Sequence, residues 1–132
     1  MAATTTEAEV REVVERMLDA MNRGDRERLR SCLSEDASAV HVGTDPEEWW
    51  SSAQVVETMG GGGPSGIRVV ADAVTVHLLG EDAAWFVGRG RFVAGERERP
   101  VRFSGVTTRD GGRWTFVHSH ASIGVPNDEL FD

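Results

Sequence analysis

The chain has no tyrosine, one cysteine and no lysine; all of its 14 basic residues are arginine. A single cysteine, Cys32, cannot close an internal disulfide, which fits a reducing compartment. No apolar run is long enough to span a membrane. The first residues, Met1 to Glu7, offer neither a charged leader nor an apolar core, so a soluble cytoplasmic protein is expected. Basic residues are also outnumbered by 22 acidic ones, for a formal net charge of -8. Binding to phosphate backbones needs a basic surface, so a nucleic-acid partner is disfavoured. The all-arginine bias fits GC-rich coding and carries no mechanism.

At 132 residues the chain is one domain with room for a real core. Thr6 and Glu9 have the spacing of a capping box. Val10, Val13, Val14, Met17, Leu18 and Met21 then form one apolar stripe at helical spacing. Gly24 ends this helix, and Asp25 caps a short second one carrying Leu29 and Leu33, with Cys32 as a small core residue. A short strand over 37–42 carries His41. Asp45, Pro46 and Glu48 read as the N-cap, first residue and cap partner of a third helix, so Asp45 is a cap rather than a catalyst. Ser52 is placed to cap a further helix through Met59, burying Val55 and Val56. The loop Gly60–Gly66 lacks the Gly-Lys-Ser/Thr ending of a phosphate-binding loop and reads as a linker or flap. Strands are expected over 67–79, 83–93, 100–108 and 113–122, joined by turns at 80–82, 95–99 and 110–112. Helices first and a meander of strands afterwards make an α+β domain.

Alternation along the last strand puts Trp114, Phe116, His118 and His120 on one face and Thr115, Val117, Ser119 and Ala121 on the other. A bulky face and a small face suit packed structure on one side and a pocket on the other.

Several segments carry a resemblance: Val42 to Trp50, Ala84-Trp85-Phe86, Arg102 to Val106, and Trp114 to His120 with Val125-Pro126-Asn127-Asp128. Their order resembles the nuclear transport factor 2-like superfamily, the cone fold shared with ketosteroid isomerase, and within it the SnoaL-like group. Gly80 to Ala84 and Trp114 to His120 are also similar to the association domain of calcium/calmodulin-dependent kinases, a non-catalytic oligomeriser of the same fold. The resemblance implies a cone-shaped curved antiparallel sheet whose concave face is covered by the N-terminal helices, with a pocket inside and a homodimer packed through the sheet. It further implies cofactor-free acid–base chemistry of isomerase, cyclase or dehydratase type on a small apolar or polyketide-like substrate. A non-catalytic ligand-binding or dimerisation module is the alternative, since this fold hosts many activities.

Residue by residue, Asp36-Ala37-Ser38 matches the opening of the isomerase segment that carries its carboxylate base, which puts His41 at the base position, where a histidine suits acid–base work near neutrality. The isomerase's oxyanion donors fall on Met17 and Ser104; methionine donates no hydrogen bond, so steroid isomerisation by that mechanism is disfavoured. His118 and His120 have chelating spacing, but the same pair in the association domain holds no metal, so a structural role is expected and no metal. Arg89 and Arg91 are expected to point outward and pair across the hairpin with Glu96 and Glu98, with Gly88, Gly90 and Ser104 inward; Arg102 is open to either face. One of Trp49 and Trp50 is expected at the pocket rim and the other in the core. The expected ligand-lining set is thus Met17, Asp45, Trp49, Trp50, Phe86, Arg102, Ser104, Val117 and Ser119, around His41.

Overall fold

The structure is a computed structural model that describes residues 5–61 and 66–132. Two helices come first: α1 (Thr5–Arg23) and the shorter α2 (Arg26–Cys32). The apolar stripe of α1 divides along its length. Val10, Val13 and Val14 are buried in the core, whereas Met17, Leu18 and Met21 are half-buried further along. Thr6 lies within the helix, so it is not its cap. Asp25 does cap α2, accepting a hydrogen bond from the Arg28 N–H at 3.1 Å.

Residues 45–48 form a turn in place of the expected helix start. The Glu48 N–H donates to the Asp45 carbonyl at 2.9 Å, and the Asp45 carboxylate accepts from the Glu47 N–H, also at 2.9 Å. An aspartate two residues ahead of a free amide closes this turn as readily as it caps a helix. The turn folds β2 (Trp49–Trp50) back on β1 (Val40–Val42) as an antiparallel pair. Helix α3 (Ser52–Met59) follows, and its cap is Ser51, not Ser52: Ser51 and Gln54 make a reciprocal capping box. The linker expected over residues 60–66 falls mostly on 62–65, outside the described residues.

The remaining strands are β3 (Arg68–Leu78), β4 (Ala83–Ala94), β5 (Arg97–Asp110) and β6 (Arg113–Ser122), before a short 3-10 turn at Asn127–Glu129. The order across the six-stranded sheet is β2-β1-β6-β5-β4-β3. All neighbours are antiparallel except β1 and β6, which run parallel, so the sheet is mixed rather than wholly antiparallel. Gly111 and Gly112, at φ 60° and 81°, make the two-residue turn between β5 and β6 that only left-handed residues allow. This is an open α+β cone, with the helices on its concave side.

Directly paired residues share a face, so the register yields the lining of the cone. One inward row runs Val76, Phe86, Gly105, Ser119, His41 and Trp50. The outward row beside it runs Thr75, Val87, Ser104, His120, Val42 and Trp49. Ser104 thus stands in an outward row, against the inward placement expected for it. In β6 a bulge interrupts the alternation: Thr107 opposes Phe116 and Val106 opposes His118, leaving Val117 as the extra residue. The expected face of Trp114, Phe116, His118 and His120 is therefore split. Trp114 and Phe116 stay inside, while His118 and His120 turn outward and Ser119 and Ala121 turn in. The core gathers Val10, Val13 and Val14 with Leu29, Cys32 and Leu33, closed by Val55, Val56, Ala84, Phe86 and Phe116.

Candidate active site

Two glycines shape the floor of the cone. A β-carbon on Gly105 would stand 2.7 Å from the Phe86 ring, and one on Gly88 would stand 2.6 Å from the Phe103 ring. Both rings can approach the neighbouring backbone this closely because these positions are bare. Phe86 also meets Phe116 edge-to-face at 5.3 Å. Above this floor lies a cavity of about 380 Å³. Its walls are chiefly apolar: Met17, Leu18 and Met21 from α1, Val55 and Met59 from α3, and Trp50 and Phe103 from the sheet. The polar groups are few: Asn22, His41, Thr44, Glu48 and Ser119 among them. A small-molecule site commonly has this composition.

His41 is the buried titratable group of that lining, with 5% of its surface exposed. Its Nδ1 lies 2.8 Å from Ser119 Oγ, and its Nε2 lies 3.0 Å from Ser52 Oγ. A neutral imidazole has one N–H and one bare nitrogen, so one serine accepts while the other donates. Burial pushes the His41 pKa down from 6.5 to about 4, and electrostatic interaction with His118 adds to the shift. The ring is therefore neutral at physiological pH, held at both ends and turned by the inward row into the cavity.

Glu48 is the second titratable group. Its spacing in the sequence marks it only as a cap partner, so sequence reasoning misses its place here. It folds back over Gly43, where a β-carbon would collide with its carboxylate. Burial raises its pKa above the usual carboxylate value, partly offset by the Asp45 N–H, which donates to it at 3.3 Å.

Met17, Trp50, Phe86, Ser104 and Ser119 line the cavity with His41, Ser104 from a position paired with outward Val87. Four expected residues do not line it. Asp45 is exposed in the turn, and Val117 is the bulge residue. Arg102 pairs with Arg89 and Ser122 in an outward row and donates to Ser122 Oγ at 3.3 Å. Trp49 is 72% exposed on the outer face, so the second tryptophan is not a core anchor. The sequence marks Ser52 only as a cap; the one-residue shift to Ser51 frees its hydroxyl for His41.

On the outer face, His118 Nδ1–H donates to the Val40 carbonyl at 2.8 Å and ties β6 to β1. Its ring meets that of His120 edge-on at 6.5 Å. Among the described residues no group of three or more His, Cys, Asp or Glu side chains is placed to hold a metal ion. Arg91 clamps Glu98 at 2.7 Å and Asp72 at 3.0 Å, an outward pairing across three strands; Glu96 takes no part in it.

A family model described as a SnoaL-like domain matches residues 10–126. The chain belongs to this SnoaL-like family. No protein of curated function matches the sequence. Among solved structures, this SnoaL-like chain is similar to a nuclear transport factor 2-like superfamily protein from Salmonella enterica serovar Typhimurium, with TM-score 0.81, 19% identity and 99% of each chain covered. It is similar to a candidate dehydratase of the same fold family from Streptomyces avermitilis, with TM-score 0.73, 22% identity, and 92% of this chain and 98% of that one covered. It is also similar to a candidate calcium/calmodulin-dependent protein kinase II association domain from Xanthomonas campestris, with TM-score 0.72, 21% identity, and coverage of 96% and 94%. At such identities these likenesses establish the fold.

Proposed function

We propose that this SnoaL-like protein is a cofactor-free acid–base enzyme of isomerase, cyclase or dehydratase type, acting on a small apolar or polyketide-like carbonyl compound. The observation that carries this reading is His41: a neutral, buried imidazole oriented by two hydroxyls at a polar end of an apolar cavity. A neutral imidazole can take a proton from carbon, and a hydroxyl beside it can share the charge that develops. Glu48, with its carboxyl pushed upward by burial, supplies a second proton-exchanging group in the same lining. The Streptomyces candidate dehydratase supports the class of reaction by likeness of fold.

The test is deuterium uptake. A panel of small cyclic and polyketide-like ketones is incubated with the protein in heavy water, and uptake at the carbon beside the carbonyl is read by mass spectrometry. The native protein is expected to promote uptake on at least one compound, and His41→Gln to lose about a hundredfold or more of that rate. Equal rates in the two proteins would remove His41 from the chemistry.

A second reading is favoured by the same geometry seen otherwise: both ring nitrogens are already engaged, and a group with a pKa of about 4 is a weak base. On that reading the protein is a ligand-binding module, and compounds bind without deuterium uptake. For either reading we propose a homodimer through the outer sheet face, where Trp85 and Val87 are 38% and 42% exposed in adjacent outward rows.

A further inference from the structure

His41 stands between two openings. Its Nδ1 partner, Ser119, lines the inner cavity. Its Nε2 partner, Ser52, lines a different opening, a cleft of about 500 Å³ between α2, α3 and residues 34–37. Leu33 lines both and forms the wall between them. Neither serine hydroxyl has another hydrogen-bond partner among the described residues, so the remaining valence of each is free for its own opening. The cleft side carries Glu35, Asp36 and Glu57 beside Arg26 and Arg30. These are solvent-exposed ionisable groups.

We propose that Ser52, His41 and Ser119 form a proton relay that joins the inner cavity to the surface cleft, so that a proton taken from or given to a bound molecule is exchanged with solvent through the cleft on the far side of His41. The transfer balances. A proton arriving at Ser52 Oγ displaces the hydroxyl proton onto Nε2; the Nδ1 proton passes to Ser119 Oγ, and the Ser119 hydroxyl proton leaves into the cavity. One proton enters, one leaves, and the ring ends as its other tautomer. A reaction that removes a proton from one carbon and returns one to another runs the relay once in each direction and resets the ring. The moves are made in concert, because a free imidazolium here would be a buried cation with no carboxylate bonded to it. In this scheme Ser52 touches no substrate; it is a positioning and proton-conducting residue that acts through His41.

The relay rests on the reading of His41 as the cavity's acid–base group, but it is measured without substrate, so its failure and the failure of that reading are separate results. The full chain labelled with nitrogen-15 is studied by NMR, reading the ring-nitrogen shifts of His41 and the solvent exchange of its N–H. Native protein is expected to show both ring nitrogens at shifts between donor and acceptor values. Ser52→Ala should move the proton to Nδ1, and Ser119→Ala to Nε2, since each leaves one hydroxyl to receive it. Ser52→Ala should also slow exchange by about tenfold or more, the equivalent of one lost hydrogen bond, and Ser52→Thr should restore it. Alanine suits the first turn of a helix, and Ser119→Ala interrogates the relay from its other end should the first variant be lost. The same single tautomer in all proteins, or unchanged exchange in Ser52→Ala, would overturn the relay.

Discussion

Burial holds the His41 ring neutral, and that has a cost visible in the pH dependence of folding. The unfolded chain takes up a proton near 6.5, whereas the folded chain resists it down to about 4. Below 6.5 the unfolded state binds more protons, so stability falls with pH across that window, by on the order of 2–3 kcal/mol when the lower end is reached. His41→Gln has no such titration. Its urea-unfolding free energy should fall less than that of the native protein between pH 7 and pH 4.5; parallel slopes would place the native ring in water. Cys32 belongs to the same scale. It is fully buried, burial raises its thiol pKa, and its Sγ lies 3.4 Å from the Arg28 carbonyl, as a weak donor. It is expected to resist thiol reagents until the protein unfolds, read as modification by intact-mass spectrometry with and without denaturant.

Among the elements, helix stripes and strand runs are legible because each repeats a simple period. The α1 stripe, the α2 cap at Asp25 and the starts of β4 and β6 stand where the sequence puts them. The inward Gly88 is legible too, by likeness to the association domain, although the same likeness puts Ser104 inward where the register turns it outward. Three features are not. The Asp45 turn uses the same residue types as a helix cap, and only pairing of β1 with β2 decides between them. The Val117 bulge has no sequence signature, yet it turns Ser119 toward His41 and His118 away from the core. Glu48 and Ser52 join the site through tertiary placement, with nothing local to mark them. The caps give a direct contrast. Ser51→Ala removes half of a capping box and should cost about 1 kcal/mol in urea unfolding, whereas Asp45→Ala, in an exposed turn, should cost less than about 0.5 kcal/mol. The reverse order would restore a helix start at Asp45. Gly105→Ala should be worse than either, by about 1–3 kcal/mol, because its methyl meets the His118 carbonyl oxygen as well as the Phe86 ring.

For the whole molecule, an open cone leaves one face of its sheet without helices among the described residues. That outer face carries Trp85 stacked on His77 at 4.0 Å, with Val87 in the next row, and the directly opposed Arg89 and Arg102 in the row after that. Two arginines opposite each other are unfavourable until something covers or pairs them. A dimer packed on this face is expected to sediment at twice the chain mass and to become monomeric in Val87→Glu; an unchanged mass in that variant would move the interface elsewhere. The inner face is the functional one on this account, and its centre is a histidine kept neutral inside an apolar cavity. The pH profile of deuterium uptake, taken as kcat/KM on a responsive ketone, tests that centre most directly, because it reports the free protein's essential base. It should stay level through pH 6.5 and fall only as pH approaches about 4, following the depressed His41 value. A profile that breaks near 6.5 and survives His41→Gln would show that the base is another group, and that His41 serves the fold alone.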